Sequence, residues 1–284
     1  MTRLRSLLFA PGNRPEYFSR LVTSGADGIV LDLEDAVPAV AKRDAREEAH
    51  RALPSLVREL GAARVFVRVN GPKTAWFQDD LDALRGAGCG VVVPKLESLD
   101  DLSTTGWLAQ VEVVVGIETV AAVEAATGLC HAPVTAAYFG AEDLVADLGG
   151  RRTEAGLEVL YARTRVAFAA RLGGVRAIDQ VVIDFEDDVR FRREADEARS
   201  LGYAGKLCIH PRQVALANDV FTPSGEEVEM NRRLVEAFER AEREGRGVID
   251  FEGRMVDQPV YQRAIAVLRA AEDGAGPSRG PGSA

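Results

Sequence analysis

The chain repeats one pattern: a short apolar run rich in branched residues, a polar turn, then a stretch whose apolar positions recur every three to four residues. The apolar runs are LRSLLFA (residues 4–10), GIVLDL (28–33), RVFVRV (64–69), GVVVP (90–94), VEVVVGI (111–117), VTAAYF (134–139), AIDQVVI (177–183) and AGKLCI (204–209). Helical spacing between them is clearest over residues 41–59 and 153–172. Strands that alternate with helices pair in parallel through right-handed crossovers. The runs show little polar alternation, as expected of strands covered on both faces. Eight such units predict an α/β fold of the (β/α)8 TIM-barrel type, with a doubly wound open sheet as the competing architecture. The position of the polar residues favours the barrel. Nearly every run ends in a charged or hydrogen-bonding residue, and barrel active sites are built at those C-terminal strand ends.

Beyond the eighth run the pattern turns helical from Pro211 onward, with loops expected over 219–225 and 245–253 and a last helix over 255–271. The expected organisation is a barrel domain over 1–215 and a C-terminal helical extension or lid over 216–272. A Gly/Pro/Ser-rich tail over 273–284 is expected to be disordered.

Composition narrows the function. The 284 residues are 46% hydrophobic and 28% charged, enough for a large core. A net charge of −9 without a long Lys/Arg run argues against a nucleic-acid partner, since binding phosphate backbone needs a concentrated basic face. Cys89, Cys130 and Cys208 are far apart, which fits reduced thiols rather than a disulfide framework or a zinc site. The apolar run after Arg3 and Arg5 stops at Pro11, too early for a signal peptide. No run approaches the roughly 18 apolar residues of a membrane span. The expected location is therefore the cytoplasm.

Two acids stand out at the ends of consecutive strands five and six: Glu118 and Asp143. Neighbouring barrel strands bring such groups near enough to share one hard cation, and Mg²⁺ takes a few carboxylates while keeping positions for water and substrate oxygens. The competing use is capping of the following helices. Arg68 lies inside an apolar strand and needs a carboxylate partner, either a substrate's or a protein acid such as Glu34 or Asp35. Lys95 adds a cation at the same rim, where Asp32, Glu34 and Asp35 supply surrounding charge. His210 reads more readily as a packed residue than as a base. The Gly12–Asn13–Arg14–Pro15 turn opens a helix and is a weak phosphate-site signal.

Taken in order, RSLLFAPGNRPEYF, GIVLDLEDAVP, VRVNG, VPKLES, GIET, FGAEDLVADLG, GKLCIHPRQV and GRMVDQPVYQRA resemble the citrate lyase β-subunit-like proteins. These belong with malyl-CoA lyases in the HpcH/HpaI aldolase superfamily, and the resemblance spans roughly residues 3–270. It implies a (β/α)8 barrel with a C-terminal helical extension, assembled as homotrimers or hexamers. It also implies a Mg²⁺-dependent carbon–carbon lyase that acts on a citryl, malyl or citramalyl thioester and yields a keto acid such as oxaloacetate. By resemblance Glu118 and Asp143 hold the Mg²⁺ and Arg68 binds the keto acid's carboxylate. Asp257 would be a catalytic acid on a lid that reaches a neighbouring subunit, and Arg5 and Arg14 would face the phosphates of coenzyme A or an acyl-carrier arm. The alternatives are a pyruvate aldolase of hydroxy-keto acids, or a non-catalytic subunit that binds acyl carriers.

Overall fold

The computed structural model describes residues 3–102 and 105–272; the tail expected over 273–284 lies outside them. Eight parallel strands form a closed barrel in sequence order: β1 (Ser6–Pro11), β2 (Gly28–Asp32), β3 (Val65–Arg68), β4 (Gly90–Val93), β5 (Val113–Ile117), β6 (Ala136–Phe139), β7 (Arg176–Asp179) and β8 (Gly205–Cys208). β1 pairs with both β2 and β8, so the sheet has no edge. Around it lie α1 (Phe18–Thr23), α2 (Lys42–Leu60), α3 (Phe77–Leu84), α4 (Val120–Leu129), α5 (Ala141–Leu148), α6 (Leu157–Gly173), α7 (Asp188–Leu201) and α8 (Pro211–Val220).

Alternation along each strand divides the core in two. Leu7, Val30, Phe66, Val92, Val114, Tyr138, Ile178 and Leu207 fill the barrel interior. Their strand neighbours Leu8, Leu31, Val67, Val91, Val115, Ala137 and Cys208 pack outward under the helices. Both faces of each strand are therefore dry, which is why the runs read as continuous Val/Ile/Leu.

The chain divides at Phe221/Thr222 rather than at 215/216, because α8 is the eighth barrel helix and packs on β1 and β8. The second unit, described to Glu272, contains α9 (Gly225–Arg243), β9 (Ile249–Phe251), β10 (Arg254–Val256) and α10 (Gln258–Glu272). It has its own core, with Leu234, Val235, Phe238, Val256 and Ala264 buried and the Phe238 and Tyr261 rings stacked at 4.9 Å. The loop expected over 245–253 is in part an antiparallel hairpin. Glu252 and Gly253 both carry positive φ, 52° and 77°, and make the tight two-residue turn that suits a hairpin's twist. Three-residue strands are too short to show alternation in sequence.

Candidate active site

The site grows from the register of β2 and β3, which sets Asp32 beside Arg68. Arg68 lies two residues beyond Phe66 and Asp32 two beyond Val30, so both continue the interior face at its C-terminal end. Arg68 Nε and Nη2 each donate to Asp32 at 2.7 Å, and Nη1 lies 3.0 Å from Glu34 Oε2. Its guanidinium also sits 5.2 Å from the centre of the Phe9 ring. Asp32 accepts the backbone N–H groups of Glu34 and Ala36 as well. Burial works against its charge, but Arg68 and the two backbone N–H groups together outweigh burial and hold the Asp32 carboxyl below its usual range. Of the two protein partners weighed for Arg68, Glu34 is one and Asp35 is not. The bidentate partner is Asp32.

Lys95 follows β4 in a left-handed conformation, φ 51°, that few residues other than glycine adopt. Its backbone N–H donates to Glu118 Oε1 at 2.9 Å. Its ammonium lies 2.7 Å from Glu34 Oε1, 3.2 Å from Asp143 Oδ1 and 3.3 Å from Asp35 Oδ2. One strained residue thus touches four carboxylates, and strain of this kind persists where surrounding contacts fix it.

Glu118, at the end of β5, is buried and accepts the Tyr138 hydroxyl at 2.7 Å. Glycines make room for it. A Cβ on Gly116 would stand 2.7 Å from Glu118 Oε1, and one on Gly140 would stand 2.5 Å from Glu118 Cβ. Burial pushes the Glu118 carboxyl up to about 7, with Asp143 and Glu34 adding to the rise and Arg68 opposing it. Glu34 is raised for the same reason, burial first, against the pull of Arg68 and Lys95.

The chemistry of these acids fits a hard divalent cation. Among the described residues Arg68 and Lys95 are the cations that pair with Asp32, Glu34, Asp35 and Asp143, while Glu118 accepts the Lys95 N–H and the Tyr138 hydroxyl. All the donors are hard oxygens, which suit Mg²⁺ and not a soft metal. Among the described residues no group of three or more His, Cys, Asp or Glu side chains is arranged to enclose a metal. A site of two carboxylates that leaves positions for substrate oxygens could be drawn from Glu118 and Asp143, which both contact Lys95. Beside this cluster opens a cavity of about 300 Å³. Phe9, Ala10, Pro11, Ala36, Val181, Leu207 and Ile209 make its walls apolar, with Asp32 and Arg68 as its charged side.

A family model described as HpcH/HpaI aldolase/citrate lyase matches residues 5–211. The chain belongs to the HpcH/HpaI aldolase/citrate lyase family. It is 47% identical over 273 residues to the citrate lyase subunit beta-like protein of Deinococcus radiodurans, covering 93% of this chain and 96% of that one. It is 33% identical to the L-malyl-CoA/beta-methylmalyl-CoA lyase of Cereibacter sphaeroides, covering 94% of each. Among solved structures, CitE from Mycobacterium tuberculosis in complex with magnesium, acetoacetate and coenzyme A superposes with a TM-score of 0.83. That chain is 33% identical, and the match covers 95% of this chain and 98% of that one.

Within this family member, the residues singled out in sequence fall into three places. Glu34, Asp35, Arg68, Lys95, Glu118 and Asp143 converge at the C-terminal rim of the barrel. Arg14 is on the loop at the same end, exposed and 3.4 Å from Glu16. Arg5 is not brought to the site: it precedes β1 at the opposite end, with Nε and Nη2 each 2.8 Å from Asp27. A residue that precedes a parallel strand cannot share a face with residues that follow one. Asp257 belongs to the second unit, where its side chain accepts the Val260 N–H at 3.3 Å and caps α10. His210 caps α8 by accepting the Arg212 N–H, and its ring stacks on Phe185. Sequence reasoning missed Tyr138 and the two glycines. Strand alternation carried the signal, because β5–β6 pairing sets Gly116 opposite Tyr138.

Proposed function

We propose that this chain is a Mg²⁺-dependent carbon–carbon lyase that cleaves a 3-hydroxyacyl thioester to a keto acid and an acyl thioester, or runs the reverse condensation. The observation that carries it is the surplus of carboxylates around Lys95, opening beside an apolar cavity that Arg68 borders. The names of the relatives, a citrate lyase β-like protein, a malyl-CoA lyase and a CitE bound to magnesium and coenzyme A, support the same class. Glu118 and Asp143 would hold the Mg²⁺, which when bound polarises the keto carbonyl and offsets the charge that develops on its oxygen.

The remaining chemistry belongs to the chain's own groups. Arg68 spends Nε and one Nη2 proton on Asp32 and turns Nη1 to Glu34 at 3.0 Å; the second N–H of Nη1 and of Nη2 are left for the keto acid's carboxylate. Tyr138 and the Lys95 N–H fix the Glu118 carboxylate in one orientation. The apolar wall keeps the departing enolate away from water. In the cleavage direction a base takes the hydroxyl proton, the bond between hydroxyl-bearing carbon and α-carbon breaks, and its electrons form the thioester enolate. A proton delivered to the α-carbon then completes the acyl thioester. Asp257 is our assignment for that acid/base, acting from a second copy. Subunits carrying Asp257→Ala and subunits carrying Glu118→Ala are each expected to be inactive, and to regain a fraction of turnover once refolded together. Verified mixed oligomers without recovery would remove the role in trans.

The substrate arm, coenzyme A or an acyl carrier, would leave past Arg14. We assign the working form as a homo-oligomer, trimer or hexamer, in the cytoplasm, where Cys89, Cys130 and Cys208, all free and buried, stay reduced. No helix of the described residues is long and apolar enough to cross a membrane. The deciding experiment is a screen of acetyl and propionyl thioesters with glyoxylate, pyruvate and oxaloacetate, with and without Mg²⁺. Mg²⁺-dependent formation of a hydroxyacyl thioester supports the reading. Turnover of free hydroxy-keto acids alone would make the chain a pyruvate aldolase instead, and no turnover without added partners would favour an accessory subunit.

A further inference from the structure

Asp143 is held less firmly at the rim than Glu118. Two contacts of 2.7 and 2.9 Å fix the Glu118 carboxylate. Among the described residues Asp143 has one ion pair, 3.2 Å to the Lys95 ammonium, which Glu34 and Asp35 share. It stands in the first turn of the short helix α5, behind Gly140, which provides no side-chain cap. The last turn of α5 is tied to α4, where Asp147 accepts the Val120 N–H at 2.8 Å. The first turn is tied by its other acid, Glu142.

Glu142 accepts Arg152 Nε at 2.9 Å. Arg152 Nη1 donates to Glu158 on α6 at 2.6 Å, and Nη2 to Gln180 just beyond β7 at 3.3 Å. Gln180 is buried, and its amide donates in turn to Glu194 of α7 at 3.3 Å. One guanidinium, its side chain 18% exposed, thus fastens the start of α5 to α6 and to the end of β7. Arg152 reaches this place from the connection between α5 and α6, bounded by Gly149 and Gly156 at φ 72° and 64°, a backbone region glycine adopts freely. Its planar fork sets direction as well as distance, which the single ammonium of a lysine cannot do at three acceptors.

Successive residues on an α-helix point about 100° apart. Holding Glu142 outward therefore fixes the rotation of the first turn and the direction of Asp143 beside it. We propose that Arg152 is a positioning residue: through Glu142 it aims the Asp143 carboxylate at the Mg²⁺, without itself reaching the ion. This rests on the assignment of Asp143 to the metal made above. A merely structural clamp on the start of α6 would act through Glu158 instead, and the two roles come apart in Mg²⁺ affinity.

Calorimetric titration of Mg²⁺ into the metal-free full chain tests the proposal, with Arg152→Met, Glu142→Gln, Glu158→Gln and Asp143→Asn compared with wild type. Removing a group that orients a metal ligand typically weakens the metal about 10–100-fold. Arg152→Met and Glu142→Gln are each expected to bind Mg²⁺ about tenfold more weakly or worse, and to recover turnover as Mg²⁺ is raised. Glu158→Gln removes another short contact of the same guanidinium; it should lower the melting temperature and bind Mg²⁺ as the wild type does. Should Arg152→Met fail to fold, Glu142→Gln decides. Wild-type affinity in Glu142→Gln, or an equal loss in Glu158→Gln, would overturn the role of Arg152. A wild type that binds no Mg²⁺, or an affinity that Asp143→Asn leaves unchanged, would instead overturn the metal assignment on which that role rests.

Discussion

Two clusters of charged residues are buried in this barrel, built from the same side-chain types and opposite in character. One lies between β7, β8 and the helices outside them. Arg163 donates from Nε and Nη2 to both Asp179 oxygens at 2.8 and 2.9 Å, Lys206 Nζ meets Asp179 at 2.6 Å, and Glu194 lies 3.8 Å from the same ammonium. Its two cations face two principal acids, and Arg163 gains charge stability from Asp179 in spite of burial. The other is the rim cluster around Arg68, Lys95 and Glu118, where acids outnumber cations and Glu118 is raised to about 7 by burial and by its acidic neighbours. The outer cluster is electrostatically closed and locks helices to strands. The rim cluster carries more acids than cations. Charge balance, more than the presence of buried charge, separates a structural network from a site.

The two clusters should respond differently to the loss of an acid, one in stability and the other in turnover. The largest effect is expected in the closed one: Asp179→Ala strands Arg163 and Lys206 and should cost about 3–5 kcal/mol of stability, read from denaturant midpoints. A loss no greater than that of a surface substitution would abolish the distinction. At the rim, Glu118→Ala should lower kcat roughly 10²–10³-fold, as for removal of one electrostatic group, while the fold survives. Arg68→Lys comes next. A point charge cannot hold Asp32 bidentately and reach the keto acid too, so the KM for keto acid should rise about tenfold, one charged hydrogen bond's worth. Loss of soluble protein on that change would show that the Asp32 pair is structural before all else.

The smallest effect is in pH. Glu118 titrates higher in the folded chain, about 7, than its ordinary 4.5. The folded state therefore holds the proton more tightly, and stability falls as pH rises between those two values. Metal-free wild type should lose melting temperature across pH 5 to 7 relative to Glu118→Gln, and above pH 7 the variant should be the more stable of the two. A parallel pair of profiles would contradict the surplus.

Much of this was legible in the sequence, for identifiable reasons. All eight strands are present because burial on both faces leaves uninterrupted Val/Ile runs, and their ends shift by a residue or two, as with Val65–Arg68 inside the expected 64–69, except β7, which stops at Asp179, four residues short of the expected 183. The criterion that picks out Arg68, a charge within an apolar strand, applies equally to Asp179 and Lys206. Sequence does not say which parity of a strand faces the barrel interior, so the closed cluster stayed hidden. Asp32 as Arg68's partner needed the β2–β3 register. Arg5 was assignable from strand polarity alone, since it stands before β1 and not after it. The hairpin at 249–256 gave no periodic signal.

The rim cluster is tested most directly by calorimetric titration of Mg²⁺ into the metal-free chain and into Glu118→Gln, at pH 8 and pH 6. The wild type should bind one ion per chain at pH 8, weakening by up to about tenfold per pH unit below 7 as the proton competes for Glu118. Glu118→Gln should bind far more weakly and lose that pH dependence. Equal affinity in wild type and variant, or binding indifferent to pH across this range, would contradict it.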